Sequence, residues 1–596
     1  MSAWFSPILL LLLIFPVFLP FTQDFYETTK WYALGSIALF TCLWWSIQTL
    51  KARVAIFHPG RTFWSLLALF GAGILSVLFG STNRVEALLE PFGPFLFIFL
   101  AFILISSSVN KQKLLTFLLH SVSFISILAV LQLTGLPGRL FTHVPWLQDP
   151  LWTPVGSTLG LVSLIGITLP LFMQRAWEAH KEEKQRSFFF SSAAIVILLA
   201  AGIGTLTVAW PRIPATLLPP LMGWQIMLET LKRFPAMIVG IGPENFLSAF
   251  TAGKPAAFNM TAAWNVRFLA NSSMALHLGT TTGAIGLGAL LFFLWNLIPR
   301  RLRTGLDWTR LLALCALLFA PPSIFLLILC VIVLYASEAQ APTIKNSSHG
   351  SALFFGLTAL LCASIMGYFL VRAYWAEHTF FRAYVTSQQI PGGQVQREGQ
   401  RAISLNPYVT QYHEAYAQTN LALAAGLLQQ ETSGQPLTDA DRQAAIQLIS
   451  QAIREGKIAT QLAPKQVTSW ETLARLYQSL VGVAGDAENW AVASFRKAVE
   501  LDPANPGLRM ELAGIYLAQK NVDAAITHLA IAATLKPDLA GTHYNLAAAY
   551  KEKGSLEAAR ESLIRARSLL SPGTSDYERV TSEITALEAE SGVQEP

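Results

Sequence analysis

The sequence predicts an all-α protein in two parts: a polytopic helical membrane domain of ten or eleven spans over residues 1–375, and an α-solenoid over 376–596. Three observations predict it. Of the 596 residues, 53% are hydrophobic and only 13% charged, a balance too apolar for an ordinary soluble chain. Apolar runs long enough to cross a hydrocarbon core of roughly 30 Å recur along the first part. From about residue 376 the composition shifts to Ala, Leu, Tyr, Glu and Lys, with helical periodicity and an internal repeat.

The apolar runs lie at 5–22, 31–50, 63–81, 91–108, 113–133, 155–173, 188–210, 271–297 and 352–373. The first reads as a retained span: it lacks a basic leading region, and "FTQDFYETTKW" follows it in place of a small-residue cleavage site. The stretch 305–337 holds Pro321 and Pro322 and reads either as one bent helix or as a hairpin of two short spans, the hairpin being preferred. Cys42, Cys315, Cys330 and Cys362 sit in apolar runs without metal-type spacing, so they read as packing residues and no metal site is expected.

A formal charge of +6 does not mark a nucleic-acid partner here, because the cations lie mainly in short loops beside apolar runs. Thirteen of them (Lys51, Arg53, Arg61, Lys111, Lys113, Arg175, Lys181, Lys184, Arg186, Arg300, Arg301, Arg303 and Arg310) occupy every second connection, against Lys30, Arg84 and Arg139 in the others. The positive-inside rule then predicts a cytoplasmic amino terminus and an outside segment 211–270. With the hairpin, the carboxy-terminal repeats are outside as well; with a single span they are cytoplasmic.

The repeat is read from Pro503 and Pro537, 34 residues apart, and from residues that recur in register. Leu512, Ala513, Tyr516, Ala525, Leu529 and Ala532 are followed by Leu546, Ala547, Tyr550, Ala559, Leu563 and Ala566. This is the pattern of tetratricopeptide repeats, in which small residues let paired helices approach and stacking buries a face no single unit buries alone. Another unit fits Trp470, Leu473, Ala474, Tyr477, Ala491, Phe495 and Ala498 with an insertion near "VGVAGDAENW", and a degenerate unit follows Pro407. Such arrays bind protein partners or act as spacers.

Segment 211–270 carries the residues of chemical interest. In "GWQIMLETLKRFP", Trp224, Met227, Leu228 and Leu231 recur at helical spacing, which predicts an amphipathic helix at the membrane surface ended by Pro235. "GIGPENF" places Gly240 and Gly242 at a turn whose spacing matches no nucleotide fingerprint. "KPAAFNMTAAWNVRFLANSSMALHLGTTTGAIG" (254–286) then sets Lys254, Asn259, Trp264 and Arg267 just before a span.

These stretches, with "WTPVGSTLGLVSLIGITLPLF" (152–172), resemble the O-antigen ligase and O-antigen polymerase family of bacterial envelope proteins. The layout is similar over roughly 60–340, and the motif-grade likeness is confined to 224–286. Family members with tetratricopeptide repeats after the last span are a known arrangement. The resemblance implies a multi-pass protein of the bacterial cytoplasmic (inner) membrane. It implies transfer of glycan from a polyprenyl-diphosphate carrier to a glycan or lipid acceptor on the extracytoplasmic face, with no nucleotide sugar and no cofactor.

Within that reading, fixed cations would stabilise the diphosphate leaving group more in the transition state than in the ground state. Arg267 is the leading candidate, joined by Lys254, with Arg212, Lys232 and Arg233 as further ones. Each has a plainer reading as an interfacial anchor. Trp264 would stack on sugar or belong to an aromatic belt; Asn259 and Asn271 would bind sugar hydroxyls or cap helices. Family ligases commonly carry a His-x-Asn element before the span, where this chain has Asn271 and Ser273, with His277 six residues further on. Glu244 or the substrate phosphate would then activate the acceptor hydroxyl. The competing reading is a non-catalytic membrane scaffold that recruits envelope-assembly proteins through its repeats.

Overall fold

The computed structural model describes residues 27–89, 111–211, 217–338, 342–386, 392–432, 438–482 and 484–591. These residues are helical throughout, apart from loops and a short ribbon in which Ala55–Phe57 runs antiparallel to Ile344–Asn346. The chain divides into two compact units. The first comprises Met1–Phe246, Phe268–Ile390 and Gln400–Tyr408; the second comprises Leu247–Arg267, Pro391–Gly399 and Val409–Pro596.

In the first unit, seven helices among the described residues are long and apolar enough to cross a membrane: Thr29–Ala52, Arg61–Phe79, Lys111–Leu133, Thr158–Lys181, Gln185–Ala209, Met274–Leu297 and His349–Ala383. Each coincides with an apolar run of the sequence; the runs at 5–22 and 91–108 lie outside the described residues. Leu66, Leu118, Val122, Ile125, Leu161, Leu164, Leu198 and Phe293 meet in a buried core. The outward faces are also apolar, with Phe189, Phe190, Val196, Leu291, Trp295, Phe354 and Leu361 exposed. A soluble domain rarely leaves so many large apolar side chains facing outward.

The stretch 305–337 is two helices, Gly305–Phe319 and Ile324–Ser337, interrupted around Pro321 and Pro322. A Thr304–Asp307 capping box opens the first. The Cys330 thiol lies 3.7 Å from the Ala313 carbonyl, whereas a continuous helix would hold residues that far apart in sequence about 25 Å from each other. The pair is folded back on itself. At 15 and 14 residues, each helix is shorter than the roughly 20 residues a full crossing takes.

The helix Pro220–Leu231 is shorter than the sequence predicts. Met222, Gly223, Ile226, Met227 and Thr230 are its buried stripe, while Trp224 and Leu228 are exposed. Gly223 and Thr230 pack inward where small side chains fit. The helix also ends at Leu231, before Pro235, which instead opens the next short turn, Ala236–Val239.

The second unit is a series of helix pairs: Thr410–Thr432 with Asp439–Leu462, Val467–Gln478 with Ala487–Leu501, Pro506–Ala518 with Val522–Leu535, and Ala540–Glu552 with Leu556–Ser568. Ala474, Ala491, Ala513, Ala525, Ala559 and Ala566 are fully buried at the close approaches, and Phe495, Leu512 and Leu529 fill the space between them. The helix Ser575–Ser591 follows and buries Val580, Ile584 and Leu587 against Leu563. The helix His349–Thr386 runs without a break through the 375/376 composition boundary.

Candidate functional site

The candidate residues fall into two groups, one in each unit. In the first unit the site begins with a broken helix. Gly283 sits inside Met274–Leu297 with φ 64° and ψ −156°, a region essentially open only to glycine. The helical ladder stops there, so the carbonyls of Thr280 and Thr281 need other donors. The loop at Gly240–Gly242 supplies them: the Ile241 N–H donates to Thr280 O at 3.3 Å and the Gly242 N–H to Thr281 O at 3.1 Å. The Ser76 hydroxyl also donates to Thr281 O, at 2.6 Å. Gly240 has φ 74°, and a Cβ there would overlap the Thr281 carbonyl. The glycines read from sequence as a turn therefore cap a helix break.

Glu244 follows directly. Its carboxylate accepts from the Ser81 hydroxyl at 2.8 Å, the Thr82 N–H at 3.0 Å and the Asn245 amide at 2.7 Å. Burial pushes the carboxyl above its ordinary value, and the hydrogen bonds from Ser81 and Thr82 are among those that offset part of the rise. Such a group suits proton transfer, although both oxygens are already engaged.

Asn271 is buried, and its amide donates to Gly223 O at 3.1 Å and to the Thr280 hydroxyl at 3.4 Å. It ties the helix Pro220–Leu231 to Met274–Leu297, while Ser273 caps the latter by accepting from the Leu276 N–H. His277 is half-buried against the Phe246 ring, and its Nδ1 lies 3.4 Å from the Asn271 N–H, which donates to it. That bond leaves Nε2 to carry the proton of the neutral ring.

Lys254, Asn259, Trp264 and Arg267 belong to the second unit. There the segment 247–267 lies along two successive turns between repeats, one at Asp502–Ala504 and the other at Leu535–Asp538. The Asn259 amide donates to Ala504 O at 2.7 Å and to Leu535 O at 3.2 Å, and Lys536 Nζ donates to Asn259 O at 2.9 Å. Lys536 Nζ also stands 5.0 Å from the centre of the Trp264 ring, within cation–π range. Arg267 pairs with Glu471 at 2.7 Å and approaches Asp502 at 4.0 Å. Lys254 Nζ lies 4.0 Å from Asp502 and 3.5 Å from Trp264 O, to which it donates. Burial pulls the Lys254 ammonium below its ordinary value and pushes the Asp502 carboxyl up, each countered by the charge of the other.

Beside this contact is a cleft of about 340 Å³ lined in part by Trp264, Asn265, Arg267, Glu471, Arg475 and Glu511. Its charges are mixed, since Glu471 also receives Arg475 at 2.9 Å. The carboxylates Glu471 and Asp502, and the turn carbonyls bound by Asn259, are the functional groups that sequence reading missed. They lie more than 200 residues beyond their partners, and no local spacing signals such pairing. Arg212 lies outside the described residues. Lys232 pairs with Glu229 on the surface, and Arg233 is exposed nearby.

Residues 489–538 match the family model of the tetratricopeptide repeat. No curated protein matches the chain. Among solved structures the chain is similar to MamA, at 13% identity over 37% of this chain and 97% of that one, with a TM-score of 0.25. It is similar to TTC0263, a thermophilic tetratricopeptide-repeat protein of Thermus thermophilus, at 18% identity over 35% and 99% with a TM-score of 0.25. The corresponding values for YrrB, a tetratricopeptide-repeat protein with an unusual peptide-binding site, are 15%, 35%, 92% and 0.26. With the family match falling on helix pairs in 34-residue register, the second unit of this chain contains tetratricopeptide repeats.

Proposed function

We propose that this chain is a membrane glycosyltransferase of the O-antigen ligase/polymerase type, moving glycan from a polyprenyl-diphosphate carrier to an acceptor on the extracytoplasmic face of a bacterial inner membrane. The observation that carries the reading is the junction of the two stretches behind the resemblance. The N–H groups of the "GIG" loop at 240–242 cap carbonyls of the "TTTG" at 280–283, with Glu244 adjoining. In the reaction the bond from the anomeric carbon to the phosphate oxygen breaks, and the diphosphate leaves with the electron pair. The acceptor oxygen bonds to that carbon, and its proton passes to Glu244 or to the departing phosphate.

A specific observation favours the scaffold as the second reading. Arg267 and Lys254 already face carboxylates, so a diphosphate would have to take the place of Glu471 and Asp502. The test is complementation. Cells lacking the protein should accumulate undelivered lipid-linked glycan, wild-type chain should clear it, and Glu244→Ala at normal abundance should fail to. Clearance by Glu244→Ala excludes Glu244 as the base, and no accumulation in the deletion strain favours the scaffold. Labelling of a cysteine introduced at exposed Ser571 in intact cells tests whether the repeats are outside.

A further inference from the structure

We infer that residues 247–267 are the resident ligand of the repeat array, and that an external protein segment of the same chemistry, basic with a central Asn and Trp, engages those repeats only by displacing them. The inference does not depend on the glycan-transfer reading.

Four side chains of the segment reach the array, and between them they find three kinds of partner: backbone carbonyls, carboxylates and an ammonium group. Asn259 is fully buried, and its one amide group spans the carbonyls of Ala504 and Leu535, which belong to consecutive inter-repeat turns. Lys254 is buried beside Asp502, Arg267 is bonded to Glu471, and the Trp264 ring receives Lys536. Phe258 is buried as well and meets Phe250 edge to face at 6.3 Å. A buried amide read by backbone carbonyls and flanking cations opposite carboxylates are the ingredients of sequence-selective peptide capture. Here the captured peptide is part of the same chain. Its effective concentration is that of a tethered ligand, which a free competitor overcomes only with difficulty.

The probe is a fluorescein-labelled synthetic peptide of residues 250–268, added to purified full-length chain in detergent. Wild type should bind it at least tenfold more weakly than a chain carrying Lys254→Glu and Arg267→Glu, whose own segment is repelled by Asp502 and Glu471. Adding Glu471→Arg and Asp502→Lys to that chain should abolish binding of the peptide. Equal binding by the first two chains, no binding by the chain carrying Lys254→Glu and Arg267→Glu alone, or undiminished binding by the chain carrying all four substitutions overturns the inference.

A second measurement guards against misfolding. Chymotrypsin cleavage after buried Phe258 should accelerate at least fivefold in Arg267→Glu and return to within about twofold of wild type when Glu471→Arg is added. Cleavage at one rate in all three chains overturns the inference too, because a segment held by that ion pair must loosen when the pair becomes repulsive.

Discussion

The backbone N–H of Gly242 donates to the carbonyl of Thr281 at 3.1 Å, joining a loop to a helix that the sequence shows only as an apolar run. The bond exists because the helix is interrupted two residues later, at Gly283. Thr280, Thr281 and Thr282 bend the same turn by returning their hydroxyls to the carbonyls four residues back.

The break makes glycine obligatory on both sides of the contact. Gly283→Ala and Gly240→Ala should each cost roughly 1–3 kcal/mol from backbone strain alone, with a further loss where the new Cβ meets Ile238 O or Thr281 O. Gly288, in the same helix and open to space, is the control: Gly288→Ala should be neutral or stabilising by up to about 1 kcal/mol. Thermal unfolding of the detergent-solubilised chain decides. Equal melting for Gly283→Ala and Gly288→Ala would contradict the break.

Glu244 should give stability a measurable pH dependence. Burial raises its folded-state value above the ordinary 4.5, so between those two values the folded chain binds more protons than the unfolded one. Stability contributed by this group is therefore complete below about 4.5 and is lost as the pH rises through the raised value. Glu244→Gln removes the titration while keeping an acceptor for the Thr82 N–H. The melting temperature of wild type should fall relative to that of Glu244→Gln as the pH is raised from 4 to 8; parallel curves would show that the carboxyl is not shifted upward.

In the array, Ala559 is fully buried among Ala547, Leu563 and Ala566. Ala559→Leu should overpack this approach and cost roughly 1–3 kcal/mol, while Glu561→Leu two residues on, at an exposed position, should change little. Proteolytic susceptibility of the repeats in the intact chain, measured against temperature, separates the two. Unchanged susceptibility of Ala559→Leu would argue for a different helix register.

What the sequence discloses and what it hides divide along the range of the interactions. Pro503 and Pro537 betray the repeats because their recurrence is a local period, and the double proline at 321–322 betrays the helix pair because proline removes a backbone donor. The break at Gly283 leaves no such trace, since one more glycine in an apolar run looks like any other small residue. The pairing of Arg267 with Glu471 leaves even less: both residues show their charge, but neither shows which opposite charge the fold brings to it. A cation ahead of a membrane span invites a headgroup or phosphate partner, and only tertiary structure reveals the carboxylate.

Arg267 is where the two functional readings part. If its guanidinium stabilises a departing diphosphate, Arg267→Ala should lower glycan transfer by about 3–4 kcal/mol of transition-state stabilisation, a hundredfold or more, as for loss of a single oxyanion donor. Arg267→Lys should then recover only part, because a point charge replaces a planar fork. If Arg267 only holds its segment against Glu471, which it contacts at 2.7 Å, the reversed pair Arg267→Glu with Glu471→Arg should restore function, whereas a catalytic guanidinium would remain missing. The measurement is glycan transfer in cells lacking the native protein, normalised to membrane abundance for every variant. Full transfer by the reversed pair would remove Arg267 from the chemistry and leave it as the anchor of residues 247–267. A reversed pair as inactive as Arg267→Ala, at normal abundance and with Phe258 as protected from chymotrypsin as in wild type, would place the guanidinium on the substrate, because the segment would then be held in spite of the like charges that Arg475 and Asp502 present to the reversed pair.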